Sequence, residues 1–247
     1  MSEAQALEIP SQPSRNPYTE RHYFAWLAGF IPALVFAGFA RTYYLNSVFG
    51  APSLSTFLHI HGAVMTGWIF LFSVQTFLIT RRHAQLHMLL GILGTGYALL
   101  VVIMGSTATI LAARREVLAH SKSVSGFLTV LALELTQMSL FAVMVAAGFK
   151  FRKRTGHHKR LMLLATVCML PNPMVRLLTL IGVEHNLVIL NIWALVVIAI
   201  VLLDSVRNHR VHPAFKLGAT LTICSLYLAY FASLTSVWQR FAADVVR

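Results

Sequence analysis

Seven apolar runs, each long enough to cross a lipid bilayer, constrain this chain more than any motif in it. They fall at about residues 24–45, 57–80, 87–111, 125–149, 159–181, 187–205 and 214–236. A hydrocarbon core near 30 Å thick takes roughly 20 apolar residues of helix. Only helices or closed barrels satisfy their backbone groups in lipid. The expected fold is therefore all-α, a polytopic membrane bundle of seven transmembrane helices. Composition agrees, with 57% hydrophobic and 11% charged residues, where a soluble domain carries about 25% charged residues. The connections are short and no repeat is visible, so residues 23–240 read as a single domain. A polar, disordered lead-in over 1–22, with Pro10, Pro13 and Pro17, precedes it, and a short tail over 241–247 follows. The small residues of AGFA could serve signal-peptide cleavage. The long charged lead and the aromatic belt at Tyr43 and Tyr44 favour an uncleaved first helix.

The net charge of +12 in a soluble chain would point to nucleic acid, but there the basic residues would gather on one polar face. Here they sit in the connections, where they set topology. The N-terminal tail and the second, fourth and sixth loops hold thirteen Lys and Arg, the opposite side holds six, and Arg176 inside a span completes the twenty. That asymmetry predicts a cytoplasmic N-terminus and an external C-terminus. Expected partners are the lipid bilayer and, at the cytoplasmic basic collar formed by Lys153, Arg154, Lys159 and Arg160, anionic lipids; no nucleic acid is expected, and partner subunits are left open. Cys168 and Cys224 lie in apolar runs without CxxC spacing and read as small core residues. A retinal protein needs a lysine buried in its last helix for the Schiff base. The last run has only Lys216, at its edge, which argues against retinal.

The histidines sort by helical face. His59 and His61 are two apart, about 200° around a helix, so one site cannot take both. His61 lies deeper and shares its stripe with Met65, Trp68, Phe72 and Gln75. His83 and His87 are four apart and share a face that continues through Gly91, Gly94 and Ala98. Such a smooth strip admits a flat macrocycle or, more commonly, a neighbouring helix. His158 heads a stripe through Met162, Ala165, Met169, Asn172 and Arg176, whereas His157 heads an apolar one. Pro171 and Pro173 should break or kink that helix around Asn172.

Glu134, in VLALELTQMSLF, sits about 15 Å inside its span. A carboxylate at that depth must be paired, protonated or exposed to a water-filled cavity. Arg176 is the expected partner. Gln137 lies nearly on the Glu134 face, and Asn172 and Asn191 lie in the same half of the bilayer. Together with His61 they outline a polar cavity on the external side. The sequence assigns no cofactor; haem b, held between rings on different helices at matched depths, is one candidate for membrane histidines. His87 with His158 would form the cytoplasmic pair and His61 with His185 an external one, a layout loosely similar to that of cytochrome b561. The chain has no HExxH for a zinc site. No nucleophile, phosphate loop or acid-base dyad is visible, so no catalytic residue is assigned.

The segments HGAVMTGW, HMLLG and HKRLMLLAT resemble those of a family of uncharacterised bacterial multi-pass inner-membrane proteins with HG-x5-W, H-x-x-LG and HKRLMLLAT motifs. The resemblance covers about residues 40–180. It implies a bacterial inner-membrane location and marks His61, Gly62, Trp68, Gln75, His87, Gly91, His158, Lys159 and Arg160 as motif positions, without implying a reaction. The chain departs from the pattern by its second histidine, at 157. Three function classes follow: a redox or metal- and haem-handling component using His61, His87 and His158; a transporter or small-molecule-binding protein built around Glu134 and Arg176; and a structural subunit of a membrane complex.

Overall fold

The computed structural model describes residues 17–247, with side chains from His22 onward. Most of the expected polar lead-in falls outside the described residues. The chain runs through α1 (Pro17–Phe39), a π-helical turn (Ala40–Tyr44), α2 (Thr56–Thr80), α3 (Ala84–Leu118), α4 (Val124–Lys150), α5 (Thr155–Val167), α6 (Pro171–Thr179), α7 (Asn186–Asn208), α8 (Pro213–Ser233) and α9 (Ser236–Val246). No strand occurs among the described residues. Seven helical segments are long and apolar enough to cross a membrane, α5 and α6 together forming the fifth. That architecture is consistent with an integral membrane protein, which would contact lipid along its sides.

The fifth segment breaks where the prolines require it. Pro171 and Pro173 have no N–H to give the preceding turn, and the chain turns over Cys168–Leu170 before α6 begins at Pro171. One freed carbonyl, that of Val167, accepts from the indole of Trp193 at 3.0 Å. Every residue from 160 to 171 except Met162 is buried, which makes this broken segment the centre of the bundle. It packs against α4 and α8, while α2 lies between α1 and α3. The flanking helices turn large apolar side chains outward, including Phe70, Ile92, Leu93, Leu217 and Leu228. Contiguous apolar surface of that extent suits hydrocarbon rather than water.

Close approach explains the glycines of HGAVMTGW. A Cβ on Gly62 would collide with the ring of Tyr43, and one on Gly67 with the hydroxyl of Tyr97. The two tyrosines then clasp α2, Tyr43 donating to the His59 carbonyl at 3.0 Å and Tyr97 to the Val64 carbonyl at 2.9 Å. Trp68 is a core residue: its indole donates to Thr166 Oγ1 at 3.3 Å and its ring meets Phe141 edge-on at 4.7 Å.

Two features differ from the expectation. Helix α3 runs on to Leu118 over 35 residues, about 52 Å at 1.5 Å per residue, which overshoots the bilayer core. The C-terminal tail, with the residues just before it, is helical: the stripe Trp238, Ala242 and Val246 of α9 packs on Ala113 of α3 and on Leu128 and Leu131 of α4. Thr235 caps α9 by accepting from the Trp238 N–H at 3.3 Å.

Arg160 does not belong to the exposed basic collar. It and Asp204 of α7 are almost wholly buried, joined by two hydrogen bonds, Nε to Oδ2 at 2.8 Å and Nη2 to Oδ1 at 2.7 Å. The carboxylate within VLLDSV is thus a second costly acid beside Glu134, offset by the two-pronged geometry that arginine alone supplies.

Candidate functional site

Two polar clusters lie at opposite ends of the interior enclosed by α2, α3, α4 and α5. The inner one joins His87, at the start of α3, to His158, at the start of α5, with ring centroids 6.0 Å apart and planes at 83°. Each ring is held from behind. His158 Nδ1 lies 2.9 Å from the Gly148 carbonyl; a carbonyl only accepts, so Nδ1 carries the proton and Nε2 keeps its lone pair. His87 Nδ1 meets the Gln75 amide of α2. The amide orientation that satisfies both of its atoms donates to His87 Nδ1 at 2.6 Å and accepts from the Gly91 N–H at 2.9 Å. In that arrangement the proton of neutral His87 is on Nε2. Gln75, expected at the foot of the His61 stripe, therefore serves His87.

The adjacent histidine points elsewhere. His157 stacks edge-on against His212, centroids 4.6 Å apart, with Phe151 on its other side at 5.6 Å. His212 Nδ1 caps α8 by accepting from the Ala214 N–H at 3.2 Å. Burial, and then the positive charges of Arg160, His157, Arg210 and Lys159, push the His212 imidazole down to about 4. The two histidines of HH thus divide between a pair inside the bundle and a pair at its rim. His83 is exposed at the turn before α3, outside both pairs. Of the smooth strip below His87, Gly94 is taken up by packing, since a Cβ there would lie 3.1 Å from Leu71 of α2.

The outer cluster gathers residues from α2, α3, α4 and α6. His61 Nδ1 lies 3.3 Å from the Met104 carbonyl. Glu134 is partly buried, with the side chains of Thr109 and Asn172 near its carboxylate, and Arg176 lies close enough to act on the charge of both Glu134 and His61. Arg176 donates to Thr42 Oγ1 at 3.2 Å and lies over the Phe39 ring at 4.7 Å. Gln137, one turn from Glu134, is 4% exposed and its Oε1 has no hydrogen-bond partner among the described residues. The structure thus brings together His61, Glu134, Asn172 and Arg176, with Gln137 below them. Asn191 stands apart, its Oδ1 accepting from the Tyr227 hydroxyl. His59 is exposed near Tyr43, and His185 lines a different cavity, so His61 and His185 form no pair. Met104 is about 25 Å along the α3 axis from His87, so the two clusters are separate centres with Trp68 and Phe141 between them.

Sequence reasoning missed Thr109, Asp204 and His212. Asp204 had a signal, a lone acid closing an apolar run. Thr109 and His212 had none, because each acts through a neighbour that only the helix arrangement supplies. Among the described residues no three His, Cys, Asp or Glu side chains converge as a metal site would need. No protein-family model, curated protein or solved structure matches the chain.

Proposed function

We propose that the chain is an integral protein of a bacterial inner membrane, with a cytoplasmic N-terminus and an external C-terminus. Its working centre in this reading is the His87 and His158 pair, and its role is redox, with haem b as the group the pair holds. The location rests on the motif resemblance, and the orientation on the asymmetry of Lys and Arg. Exposed Lys150, Arg152, Lys153 and Arg154 at that end suit anionic lipid headgroups.

One observation carries the reading: two imidazoles on different helices are 6.0 Å apart, each braced at Nδ1. Metal-bound histidines donate their second ring N–H to a fixed acceptor, as His158 does to the Gly148 carbonyl. His87 and His158 would hold the group from two helices, since their rings lie side by side at one end of the bundle. The donor set also fits. A structural zinc needs four ligands, whereas haem needs two from the protein because its macrocycle supplies the rest, and when bound it supplies one-electron transfer. His158, with its proton on Nδ1, keeps the lone pair on Nε2. For His87 to do so, its proton must move to Nδ1 and the Gln75 amide must turn so that its oxygen accepts. Gln75 is accordingly a positioning residue.

The test is an absorption spectrum and metal analysis of protein purified in folded form. A Soret band with stoichiometric iron supports the reading, and absence of both overturns it.

A second reading is favoured by a different observation, the gathering of Glu134, Asn172, Arg176 and His61 beside a broken helix, since transporters place their sites at such interruptions. In that reading the outer cluster binds a solute and Glu134 couples it to protons. Glu134→Gln should abolish pH-dependent uptake in vesicles; unchanged pH dependence would rule out Glu134 as the coupling group.

A further inference from the structure

Helix α9 carries three strips of different chemistry along its 11 residues. Trp238, Ala242 and Val246 face the bundle. Val237, Phe241 and Val245, at the same four-residue spacing, face away from it and are between 59% and 77% exposed. Arg240, Asp244 and Arg247 are exposed as well, and at 100° per residue they follow one another along the other edge of that outward face. Hydrogen bonds fix the roll of the helix and keep the apolar strip outward. The Trp238 indole donates to the Leu128 carbonyl at 2.9 Å, and the Gln239 amide donates to the Ser233 and Ser125 carbonyls at 2.7 and 3.3 Å.

Depth and pattern together indicate what covers the strip. α9 packs on Ala113 of α3, a helix that begins at Ala84, just after exposed Arg81, Arg82 and His83. Ala113 lies about 43 Å along α3 from Ala84 at 1.5 Å per residue, or about 40 Å of rise at a typical tilt of about 20°. A bilayer with its headgroup layers measures about 40–45 Å. A helix packed on Ala113 is then level with the headgroup layer opposite Arg81 and Arg82. An apolar strip beside a charged one suits an oil–water boundary running along the helix, as in helices that lie in a membrane interface. A protein partner suits it less, since three side chains on one short helix offer far less than the roughly 800 Å² per partner of a stable interface. Asp244 holds Arg247 at 3.4 Å, which leaves Arg240 to meet a lipid phosphate. We propose that α9 is an interfacial helix that binds the phospholipid surface, with Val237, Phe241 and Val245 toward the acyl chains and Arg240 among the phosphates. The proposal rests on the chain spanning a bilayer and is independent of the redox reading.

Full-length protein in phosphatidylcholine nanodiscs tests it by spin labelling, with Cys224 replaced by serine and Cys168 left in place, since it is buried. One nitroxide at a time replaces an exposed side chain, so no packing is lost. Its collisions with molecular oxygen, which concentrates in lipid, are compared with its collisions with a water-soluble nickel chelate. Labels at Phe241→Cys and Val245→Cys should favour oxygen, and labels at Arg240→Cys and Asp244→Cys should favour nickel, a reversal within one turn of one helix. A label at Phe70→Cys, on the exposed face of α2, should favour oxygen most. With Phe70 behaving so, two results overturn the proposal alone: a Phe241 label as open to nickel as the Arg240 label, which puts α9 in water, or a Phe241 label shielded from both reagents, which puts protein over the strip. A Phe70 label that favours nickel overturns the membrane reading and the proposal together.

Discussion

Replacing Asp204 by asparagine should destabilise the bundle more than any exposed substitution, because it strips charge from one side of a fully enclosed pair. The guanidinium of Arg160 keeps its bond from Nη1 to the Gly156 carbonyl at 3.0 Å and its place over the Phe215 ring at 5.7 Å. Removing one member of a buried ion pair costs about 3–5 kcal/mol, and for a chain of this size each kcal/mol lowers the unfolding midpoint by roughly 2–4 °C. The expected loss is therefore about 6–20 °C, followed in detergent through the buried indoles of Trp68 and Trp193, which are 2% and 0% exposed. The double variant Arg160→Met with Asp204→Leu should recover most of the loss, since apolar replacement of a buried pair is often neutral or stabilising. An Asp204→Asn midpoint within 2 °C of wild type, or a double variant no better than the single, would refute the view that this buried pair holds α5 to α7.

Gly62→Ala should force the Tyr43 ring away from α2 and cost about 1–3 kcal/mol, read as a lowered unfolding midpoint; wild-type stability would mean that the contact is slack. Gln75→Leu should weaken haem binding about 10- to 100-fold, the usual effect of losing a bracing partner, while leaving helical content unchanged; unaltered affinity would remove Gln75 from the site. His212 predicts an acid dependence. Its imidazole is pushed down to about 4 in the folded protein from about 6.5 in the unfolded chain, so the unfolded chain takes the proton first. Stability from this group is complete above pH 6.5 and declines as pH falls toward 4. His212→Asn keeps a side-chain acceptor at the start of α8 and should show a shallower decline over that window; identical slopes would dismiss His212 as a contributor.

The seven segments were legible because length and apolarity suffice to mark a membrane helix, and the broken fifth segment because proline cannot continue one. The matching of His87 with His158 was also legible, since each opens a segment on the side rich in lysine and arginine. Arg160 was misplaced for the same kind of reason: its neighbours in sequence are collar residues, and only the α5 face it occupies reveals that it points at Asp204. Asn191 was grouped with Glu134 by depth alone, which says nothing of azimuth, and Tyr227 of α8 takes it instead. Gln75 was read on the His61 stripe because one helix face carries both residues. A stripe spanning a bilayer serves different sites at its two ends, and Gln75 meets His87 across the α2 and α3 contact.

The visible spectrum of purified protein supplied with haem b, compared across wild type, His87→Ala, His158→Ala and His61→Ala, tests the central claim most directly. The account predicts a low-spin, two-histidine spectrum in wild type and in His61→Ala, and its loss or conversion to a high-spin form in His87→Ala and His158→Ala. Failure of the folded wild type to take up haem, or a spectrum indifferent to His87 and His158, would contradict it.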